Sequence, residues 1–421
     1  MTGSGPRPTA ARFGPPRLWE AWSPGWRATR SDGLGRRQDH VTDQIEHGAA
    51  GHPLCERLSV VLLTYNCAHR IDDILRRLTE LRLPLVVVDN ASADGTPGVV
   101  EAAGVRVIRL CRNIGAAARN VGVGWVSTPY VAFCDDDGWY ERAGLAEVCD
   151  RFDAHPALAI VNTRILVDEH FVDPLSTEMA ASPLSDTAGV PGSVIMGFMA
   201  GACIARVSAY ESVGGYHERF FMGAEEETLG YALIMAGWQM RYVPEATVHH
   251  RASLANVRRM RPYGLRNTLW NAWLRRPWRS ALRWTLFVLA DAPKNVSWIR
   301  GVGMAVAGIP WVIRHRRPMS VELDAQLRLL DGRRFATRRP LFTWRQPDAE
   351  DPSGWERADR SAEVGLASRG GASGEPRDGA RDSLVKADRW PPAQRRRDQL
   401  SVRPSYLGVV DGTIDMRDDG Q

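Results

Sequence analysis

The sequence predicts an α/β fold built on an open, mostly parallel β-sheet. Two observations carry this prediction: short apolar runs rich in valine alternate with segments of helical spacing, and they do so at the separation typical of βαβ units. Strands buried on both faces form near-continuous apolar runs, whereas apolar residues three and four apart indicate a helix. The chain has 421 residues, 44% of them hydrophobic and 24% charged, which excludes a wholly disordered, collagen-like or coiled-coil protein.

The first half of the chain supplies these elements in order. After the first apolar run, Ile71, Ile74 and Leu78 recur at helical spacing, and Thr96-Pro97 has the cap and first-turn residues of a helix start. The predicted strands cover 58–63, 85–88, 105–110 and 130–134, and the predicted helices cover 70–81, a segment opened by Thr96, and 115–125. A later strand is predicted to end in the paired residues His249-His250.

Polar residues follow each of the first four strands. In an open α/β sheet, ligands gather beyond the carboxyl ends of the strands, so we expect these residues at one edge. They are Thr64-Tyr65-Asn66, Asp89 through Gly95, Arg112-Asn113-Ile114-Gly115 and Asp135-Asp136-Asp137. Any one of them alone is an ordinary polar turn, but the four together predict a shared ligand site.

Three adjacent carboxylates end the fourth strand. Asp135, Asp136 and Asp137 repel each other and lose hydration when partly buried, and a divalent cation removes both costs. Mg²⁺ and Mn²⁺ prefer oxygen ligands and commonly use one or two carboxylates plus substrate phosphates. Alternate side chains of an extended segment share a face, so Asp135 and Asp137 are expected to point together. The competing interpretation is a solvated acidic loop.

Gly115 begins a predicted helix at the same edge, flanked by Arg112 and Arg119. The free N–H groups and the dipole of a helix start favour anions, and arginine contacts phosphate through two donors. A nucleoside diphosphate bridged to a metal ion is the expected occupant. No GxxxxGK[ST] motif occurs and no GxGxxG follows the first strand, which argues against a P-loop NTPase and a dinucleotide-binding fold.

Two further groups of polar residues lie in the second half of the chain. Glu225, Glu226 and Glu227 precede a helical pattern, where acids either match the helix dipole or serve as a general base. His249-His250 either completes a metal site with the aspartates or is a surface pair.

In this order, the motifs resemble those of the inverting glycosyltransferases of family 2, over about Leu58 to Asn267. The motifs that carry the resemblance are Val60 through Asn66, Val88 through Thr96, Arg112 through Gly115 with Arg119-Asn120, Asp135-Asp136-Asp137, Phe220 through Leu229, and His249-His250. It implies a GT-A fold, which is a Rossmann-like, mostly parallel open sheet with helices on both faces. Here that fold is followed by a helical C-terminal extension.

The resemblance also implies roles for individual residues. The nucleoside pocket would be lined by Thr64, Tyr65, Asn66 and Asp89, with Asp89 facing the base. Other donor contacts would come from Arg112, Asn113, Gly115, Arg119, Asn120 and Asp136. Mg²⁺ or Mn²⁺ would be held by the DxD residues Asp135 and Asp137, together with His249 or else His250. The catalytic base would be Glu226 or else Glu225, whereas Thr228, Leu229 and Ala232 depart from the family's acceptor-binding pattern.

The implied reaction is an inverting, metal-dependent transfer of a hexosyl or deoxyhexosyl unit from a nucleotide-diphosphate sugar to an acceptor hydroxyl. The acceptor would be a carbohydrate or a lipid-linked molecule, in the synthesis of cell-surface polysaccharide or glycolipid. Two alternatives stay open. One is a nucleotidyltransferase acting on a sugar phosphate, which needs the same carboxylates and metal. The other is a nucleic-acid-binding protein that uses a segment rich in arginine and tryptophan.

That segment lies just after the proposed catalytic body. The net charge of the whole chain is +5, yet residues 251–320 contain fourteen Lys or Arg and a single acid, Asp291, together with six tryptophans. Arginines interleaved with tryptophan suit an interfacial helix on an anionic membrane, with Arg275, Arg276 and Arg279 among the contacts, or a lipid-linked diphosphate acceptor. The competing interpretation is a helical cap with its arginines in water.

The expected organisation has four parts: a disordered segment over 1–56, a GT-A domain over 57–255, a basic, Trp-rich helical extension over 256–344 and a disordered tail over 345–421. No signal peptide and no transmembrane run is recognised. The six cysteines form no CxxC pair, which favours a reducing compartment. We therefore expect a cytoplasmic enzyme, peripheral at the inner face of the membrane.

Overall fold

The computed structural model describes residues 53–167, 170–251 and 257–337. The segments expected to be disordered, 1–56 and 345–421, lie outside these residues except for 53–56, and so do the last residues of the predicted extension. The four boundaries and the expected disorder therefore stay predictions.

The first half of the described chain alternates strands and helices as the sequence predicts. Its elements are α1 (Leu54–Arg57), β1 (Leu58–Thr64), α2 (Ile71–Glu80), β2 (Leu85–Asp89), α3 (Thr96–Ala102), β3 (Val107–Arg109), a 3₁₀ turn (Gly115–Ala117), α4 (Ala118–Val123) and β4 (Tyr130–Asp135). β3 is shorter than the predicted 105–110, and the predicted helix over 115–125 is divided into the 3₁₀ turn and α4.

The second half is less regular. Its elements are β5 (Gly138–Tyr140), α5 (Leu145–Ala154), β6 (Leu158–Val167), β7 (Phe171–Val172), α6 (Pro174–Ala180), β8 (Ser193–Val194), a 3₁₀ turn (Ala200–Ala202), β9 (Cys203–Arg206), α7 (Val207–Ser212), a 3₁₀ turn (Glu218–Phe220), α8 (Glu225–Met235) and β10 (Gln239–His250). β10 ends in the histidine pair, as predicted.

The strands form one open sheet in the order β3-β2-β1-β4-β9-β6-β10-β5, with β7 beside β6 and β8 beside β10. The part built from the first half, β3-β2-β1-β4, is parallel throughout, and β10 is parallel to β6. β9 lies antiparallel between β4 and β6, which makes the sheet mixed beyond β4. The predicted open α/β architecture is confirmed, and the parallel part carries the polar strand ends.

Helices cover both faces of this sheet, because its central strands are apolar on both sides. Leu62 of β1 packs in a buried cluster with residues of α2 and α5, whereas Val61, one residue earlier, packs in a second cluster with residues of α4 and α8. Each of these two strand residues is fully buried. Such double burial explains why β1 is an unbroken apolar run and not an alternating one.

The C-terminal extension is helical, as predicted. It consists of α9 (Val257–Arg275), α10 (Trp278–Asp291), α11 (Val296–Ala307), α12 (Ile309–His315) and α13 (Val321–Thr337). Trp270 and Trp284 are buried in a cluster that also contains Phe220 of the catalytic body, so the extension shares a core with that body.

Within the described residues, no single helix is both long enough and apolar enough to span a membrane. α11 and α12, which meet at an angle of 51°, satisfy a length-and-composition test only when taken together.

Candidate functional site

The loops after β1 and β2 are fastened to each other by hydrogen bonds. Asn66 donates its backbone N–H to Ser92 Oγ at 2.9 Å, and its side-chain oxygen accepts from the N–H of Ala93 at 2.8 Å. Asn66 has a left-handed backbone, with φ of 50°, a conformation that asparagine tolerates better than most residues. These bonds bring the first two polar strand ends together at one edge.

Asp89 organises this edge from inside. Its two carboxylate oxygens accept bonds from Ser92, at 2.9 Å from the backbone N–H and 2.5 Å from the hydroxyl, and Thr64 Oγ1 lies 3.2 Å away. Both Thr64 and Asp89 are buried. In this structure the polar atoms of these two residues face each other within the protein, and their part in a nucleoside pocket stays a prediction. Tyr65 and Asn66 are the partly exposed members of the set.

The loop after β3 joins the same edge through asparagines. The Asn90 amide donates to the carbonyl of Gly115 at 3.0 Å and accepts from the N–H of Ile114 at 2.9 Å. Asn113 Oδ1 accepts from the Gly115 N–H at 2.9 Å. Arg112 is exposed beside them, where a phosphate can reach it.

Gly115 connects this loop to the segment before α8. Its φ is +63°, and a Cβ there would lie 2.0 Å from the carbonyl oxygen of Phe221, so only glycine fits. The same carbonyl accepts from the N–H of Ala116 at 2.7 Å. The loop after β3 and the segment carrying Glu225 and Glu226 are thus held in direct contact.

Arg119 lies under the site and does not point out of it. Its guanidinium is buried and pairs with the carboxylate of Asp135. Burial lowers the pKa of Arg119, but Asp135 and the carboxylates of Glu225 and Glu226 outweigh that effect and raise it. Arg119 thus has Asp135 as an ion-pair partner within the protein, and its contact with a phosphate stays a prediction.

Asn120 is also engaged inside the protein. Its amide donates to the carbonyl of Tyr216 at 2.8 Å and accepts from the N–H of the same residue at 2.9 Å. Asn120 therefore holds α4 against the residues before α8, and its contact with the donor stays a prediction.

The three aspartates after β4 have three different environments. Asp135 pairs with Arg119, and Gly201 lies so close that a Cβ there would be 2.6 Å from Asp135 Oδ2. Asp136 accepts from Arg70 at 2.5 Å and from the backbone N–H of Tyr65 at 3.0 Å. Burial raises the pKa of Asp136, while Arg70 opposes this. Asp136 thus connects the first loop to the end of β4, and its role as a donor contact stays a prediction.

Asp137 lies beside the second histidine of the pair. The Nε2 atom of His250 is 3.6 Å from Asp137 Oδ1, and the carbonyl of Asp137 accepts from the N–H of Arg251 at 2.8 Å. Burial lowers the pKa of His250, but Asp137, Asp135 and Asp173 outweigh burial and raise it. His250 Nδ1 is buried without a hydrogen-bond partner in the described part of the chain.

His249 faces the other way, because consecutive residues of a strand point to opposite sides. Its ring stacks on Trp139 at 4.9 Å, and its Nε2 atom lies 2.7 Å from Glu141. His250, the alternative metal ligand from the sequence, therefore adjoins Asp137, whereas His249 does not, and the choice between them stays a prediction. Among the described residues, no group of three or more His, Cys, Asp or Glu is arranged to hold a metal ion unaided.

Glu225 and Glu226 begin α8 at the floor of the site. Glu225 is only 3% exposed and Glu226 is half-buried, and the charge of Arg119 acts on both. Burial raises the pKa of Glu225, and the charge of Glu226 adds to this effect. Burial also raises the pKa of Glu226. Of the two, Glu226 has the exposure needed to meet a substrate.

The segment before these glutamates is held by residues of α9 that the sequence did not single out. The Asn267 amide donates to the carbonyls of Phe220 at 2.6 Å and Gly223 at 2.5 Å. The Asn271 amide donates to the carbonyl of Ala224 at 2.8 Å. Two asparagines four residues apart in the same helix were the available signal, since buried amides need partners.

We compared the chain with known proteins. The sequence model of the family described as Glycosyl transferase family 2 matches residues 59–214. An N-acetylglucosaminyl-diphospho-decaprenol L-rhamnosyltransferase of Mycobacterium tuberculosis is 26% identical over 277 residues, which covers 54% of this chain and 89% of that protein. A pre-mycofactocin glycosyltransferase of the same species is 34% identical over 192 residues, which covers 42% of this chain and 39% of that protein.

Solved structures resemble the chain more distantly. S. aureus TarS 1–349 in complex with UDP has a TM-score of 0.39 and 19% identity, over 51% of this chain and 65% of that one. The mannosyltransferase PcManGT of Pyrobaculum calidifontis, in complex with GDP-Man and Mn²⁺, has a TM-score of 0.40 and 18% identity, over 74% of this chain and 79% of that one. The family match over residues 59–214 and the curated relatives agree with the motifs at the sheet edge, and together they support a family 2 glycosyltransferase.

Proposed function

We propose that this chain transfers a sugar, with inversion, from a nucleoside diphosphate sugar to an acceptor hydroxyl in cell-surface polysaccharide or glycolipid synthesis. One observation carries the proposal: Asp135, at the end of β4, and Glu225 and Glu226, which begin α8, all act on the same buried cation, Arg119. A diphosphate-binding edge and a candidate base therefore share one site. The family match favours glycosyl transfer over nucleotidyl transfer and over nucleic-acid binding.

Glu226 is the proposed general base. Burial raises the pKa of its carboxyl above the ordinary value of 4.5, which improves its ability to take a proton from an acceptor hydroxyl near neutral pH. The deprotonated oxygen attacks the anomeric carbon from the face opposite the nucleoside diphosphate, which leaves with inversion. Glu225, which is less exposed, interacts with Glu226 through a side-chain hydrogen bond that opposes the rise in the pKa of Glu226.

A divalent cation fits the residues after β4. Asp137 and His250 offer an oxygen and a nitrogen ligand near each other, and Asp135 adds negative charge. The unpartnered Nδ1 of His250 leaves its ring orientation unfixed by the described residues. Because these groups are too few for a closed cage, the diphosphate of the donor would supply further ligands, as is usual for Mg²⁺ and Mn²⁺. The cation would neutralise the charge that develops on the departing diphosphate.

The proposed acceptor is a lipid-linked sugar diphosphate, and the proposed donor carries a hexose or a deoxyhexose. The support is the rhamnosyltransferase relative, which this chain matches over 89% of its length and whose name specifies a diphospho-decaprenol acceptor. The proposal also fits the excess of arginine in the extension.

We further propose that the extension rests on the inner face of an anionic membrane. Trp278, Leu282 and Leu286 of α10 are exposed at a spacing of four residues, so they form one apolar stripe along the helix. Arg279 and Arg283 are exposed beside that stripe. Apolar and basic side chains at one helix surface suit the boundary between lipid headgroups and acyl chains.

The structure corrects one part of the sequence prediction on membrane binding. Arg276 is buried in an ion pair with Asp331, at 2.5 Å, and Arg275 is only partly exposed. Of the three arginines expected to contact lipid, Arg279 alone is fully on the surface.

A donor screen tests the proposed reaction. The full chain is incubated with nucleoside diphosphate sugars and a short-chain sugar diphosphate acceptor, with Mn²⁺, with Mg²⁺ or with EDTA. Release of nucleoside diphosphate in step with acceptor elongation, and its loss in EDTA, is the expected result. Release of pyrophosphate instead identifies nucleotidyl transfer and contradicts the proposal.

A further inference from the structure

A second polar site lies beside the proposed base, where the extension meets the catalytic body. A cavity of about 220 Å³ opens between the 3₁₀ turn Glu218–Phe220, α8 and the ends of α9 and α12. Its titratable lining is entirely basic: His217, Arg275, His315 and Arg317. The aromatic rings of Phe220 and Trp311 form the rest of its wall, together with Leu274 and Thr228.

The cations of this cavity face one another without an acid among its lining residues. Burial lowers the pKa of Arg275, and the charge of Arg317 lowers it further. Burial also lowers the pKa of His217, and Arg219, His315 and Arg275 add to this effect. Like charges gathered in a partly desolvated cavity repel each other, so an anion bound there would relieve the repulsion.

Arg275 has donor capacity left for such an anion. Its Nε atom is buried and has no hydrogen-bond partner among the described residues. His315 uses Nδ1 to donate to the carbonyl of Trp311, at 2.8 Å, so its Nε2 atom becomes a second donor when the ring is protonated. A phosphate offers the acceptor oxygens and the negative charge that these donors need.

The next residue in the sequence, Arg276, differs from Arg275 because it has a carboxylate partner. Arg276 is buried against Asp331, whose two oxygens it meets at 2.5 and 3.1 Å. Arg57 and Arg241 are likewise buried with aspartate partners. Where this chain buries an arginine for structural reasons, it commonly provides a carboxylate, and the cavity around Arg275 provides none.

The cavity lies next to the segment that precedes the proposed base. Phe221 contacts the loop of Gly115 at the donor edge, whereas Phe220, one residue earlier, lines the cavity. Thr228 also lines it, and three residues of helix separate Thr228 from Glu225, or about 4.5 Å along the axis. A ligand in the cavity is therefore within a short reach of the carboxylates that begin α8.

From this geometry we propose that the cavity binds the phosphate or diphosphate group of the acceptor, with Arg275 as its principal ligand and Arg317 at its mouth. The proposal rests on the proposed function and adds the subsite that recognises the acceptor's anionic group. The aromatic side chains of the cavity wall suit the first part of the acceptor chain that is attached to this phosphate.

Binding of inorganic pyrophosphate to the full chain tests the site without catalysis. Calorimetric titration in EDTA is carried out on the wild type, Arg275→Gln, Arg317→Gln and the control Arg314→Gln. Arg314 is exposed on α12 but does not line the cavity, so its substitution removes the same charge from the same region. We expect affinity to fall about tenfold in Arg275→Gln, to fall less in Arg317→Gln and to be unchanged in the control.

Equal affinity in all four proteins overturns the site. Because Arg317 is exposed, Arg317→Gln should fold even if Arg275→Gln does not, and thermal melting checks both. Phosphatidylglycerol vesicles distinguish the source of the phosphate. If Arg275→Gln weakens vesicle binding but not pyrophosphate binding, the cavity recognises lipid headgroups and the acceptor proposal is wrong.

Kinetics separates this site from the proposed reaction. Arg275→Gln should raise KM for a sugar diphosphate acceptor, whereas the control Arg314→Gln should leave both that KM and hydrolysis of the donor by water unchanged. If the wild type binds pyrophosphate through Arg275 but releases no nucleoside diphosphate from any donor, the anion site stands and the proposed function falls. An unchanged KM in Arg275→Gln, with normal transfer, overturns the acceptor subsite alone.

Discussion

The imidazole Nε2 of His250 lies 3.6 Å from Oδ1 of Asp137, whereas the ring of its neighbour His249 lies on the opposite face of β10, 2.7 Å from Glu141. Two consecutive histidines thus belong to different environments. Only one of them adjoins the carboxylates that follow β4.

The histidine pair gives the first prediction. In His250→Ala, the Mn²⁺ concentration for half-maximal transfer should rise about tenfold or more, because a nitrogen ligand is lost. In His249→Ala, metal dependence should be unchanged, and thermal stability should fall because the stack on Trp139 is lost. Initial rates measured against Mn²⁺ concentration in both variants test this prediction. If His249→Ala raises the Mn²⁺ requirement and His250→Ala does not, His249 is the metal ligand.

Replacing the proposed base should stop the chemistry and leave donor binding intact. Glu226→Gln is expected to lower kcat about a hundredfold or more, since its carboxamide cannot accept the proton. Glu147→Gln, an exposed acid on α5, is the matched control. Burial raises the pKa of Glu226. The wild-type rate should therefore fall as the pH is lowered, with a midpoint above pH 4.5. Full turnover in Glu226→Gln would mean that Glu225 is the general base instead.

Ionisation of Glu225 is predicted to lower the thermal stability of the protein at neutral pH. Burial raises the pKa of its carboxyl, so its contribution to folding is present in acid and is lost as the pH rises through the folded-state pKa. Glu225→Gln should therefore raise Tm at neutral pH by about 2 °C or more, and the gain should disappear in acid. Melting curves at the two pH values measure this, and an equal gain at both would contradict it.

Gly115 should be intolerant of a side chain. Gly115→Ala places a Cβ 2.0 Å from the carbonyl oxygen of Phe221 at φ of +63°, and we expect a loss of about 2 kcal/mol in the free energy of unfolding. Gly104→Ala is the control, because it has φ of +72° with nothing within 4 Å. Denaturant unfolding of the two variants separates the clash from backbone strain, and equal losses would show that the contact with Phe221 is dispensable.

The stripe on α10 predicts membrane binding. Wild-type protein should sediment with phosphatidylglycerol vesicles, and Leu286→Asp should reduce the bound fraction because it puts a charge on an apolar stripe. Leu329→Asp, at an exposed leucine of α13, is the control. If the wild-type protein does not sediment with the vesicles, the result favours a helical cap with its arginines in water.

The sequence predicted the parallel half of the fold well, because β1, β2 and β4 are apolar on both faces and end in polar residues. The sequence did not show which face of β10 carries each histidine. β10 changes register against β6 between Val243 and Thr247, and a one-residue irregularity in a strand exchanges its two faces. No local pattern records how many residues such an irregularity absorbs.

The sequence also did not show the partners of Arg119 and Asn120 within the protein. An arginine and an asparagine near an anion site suit a ligand, and the sequence does not show that Asp135 and Tyr216 already engage them. Likewise, Asn267 and Asn271 lie outside the resembling motifs or at their end. Their partners are backbone carbonyls, which no residue pattern identifies.

The bonds from α9 to the segment before α8 limit how the enzyme can be divided or recombined. The family match ends at residue 214, yet the proposed base at Glu226 is positioned by carbonyl contacts from Asn267 and Asn271. A chimera that takes its extension from a relative must take residues 217–224 with it, or the base loses its support. Acceptor preference and proton transfer are therefore inherited as one unit, and divergence in the extension alters both at once.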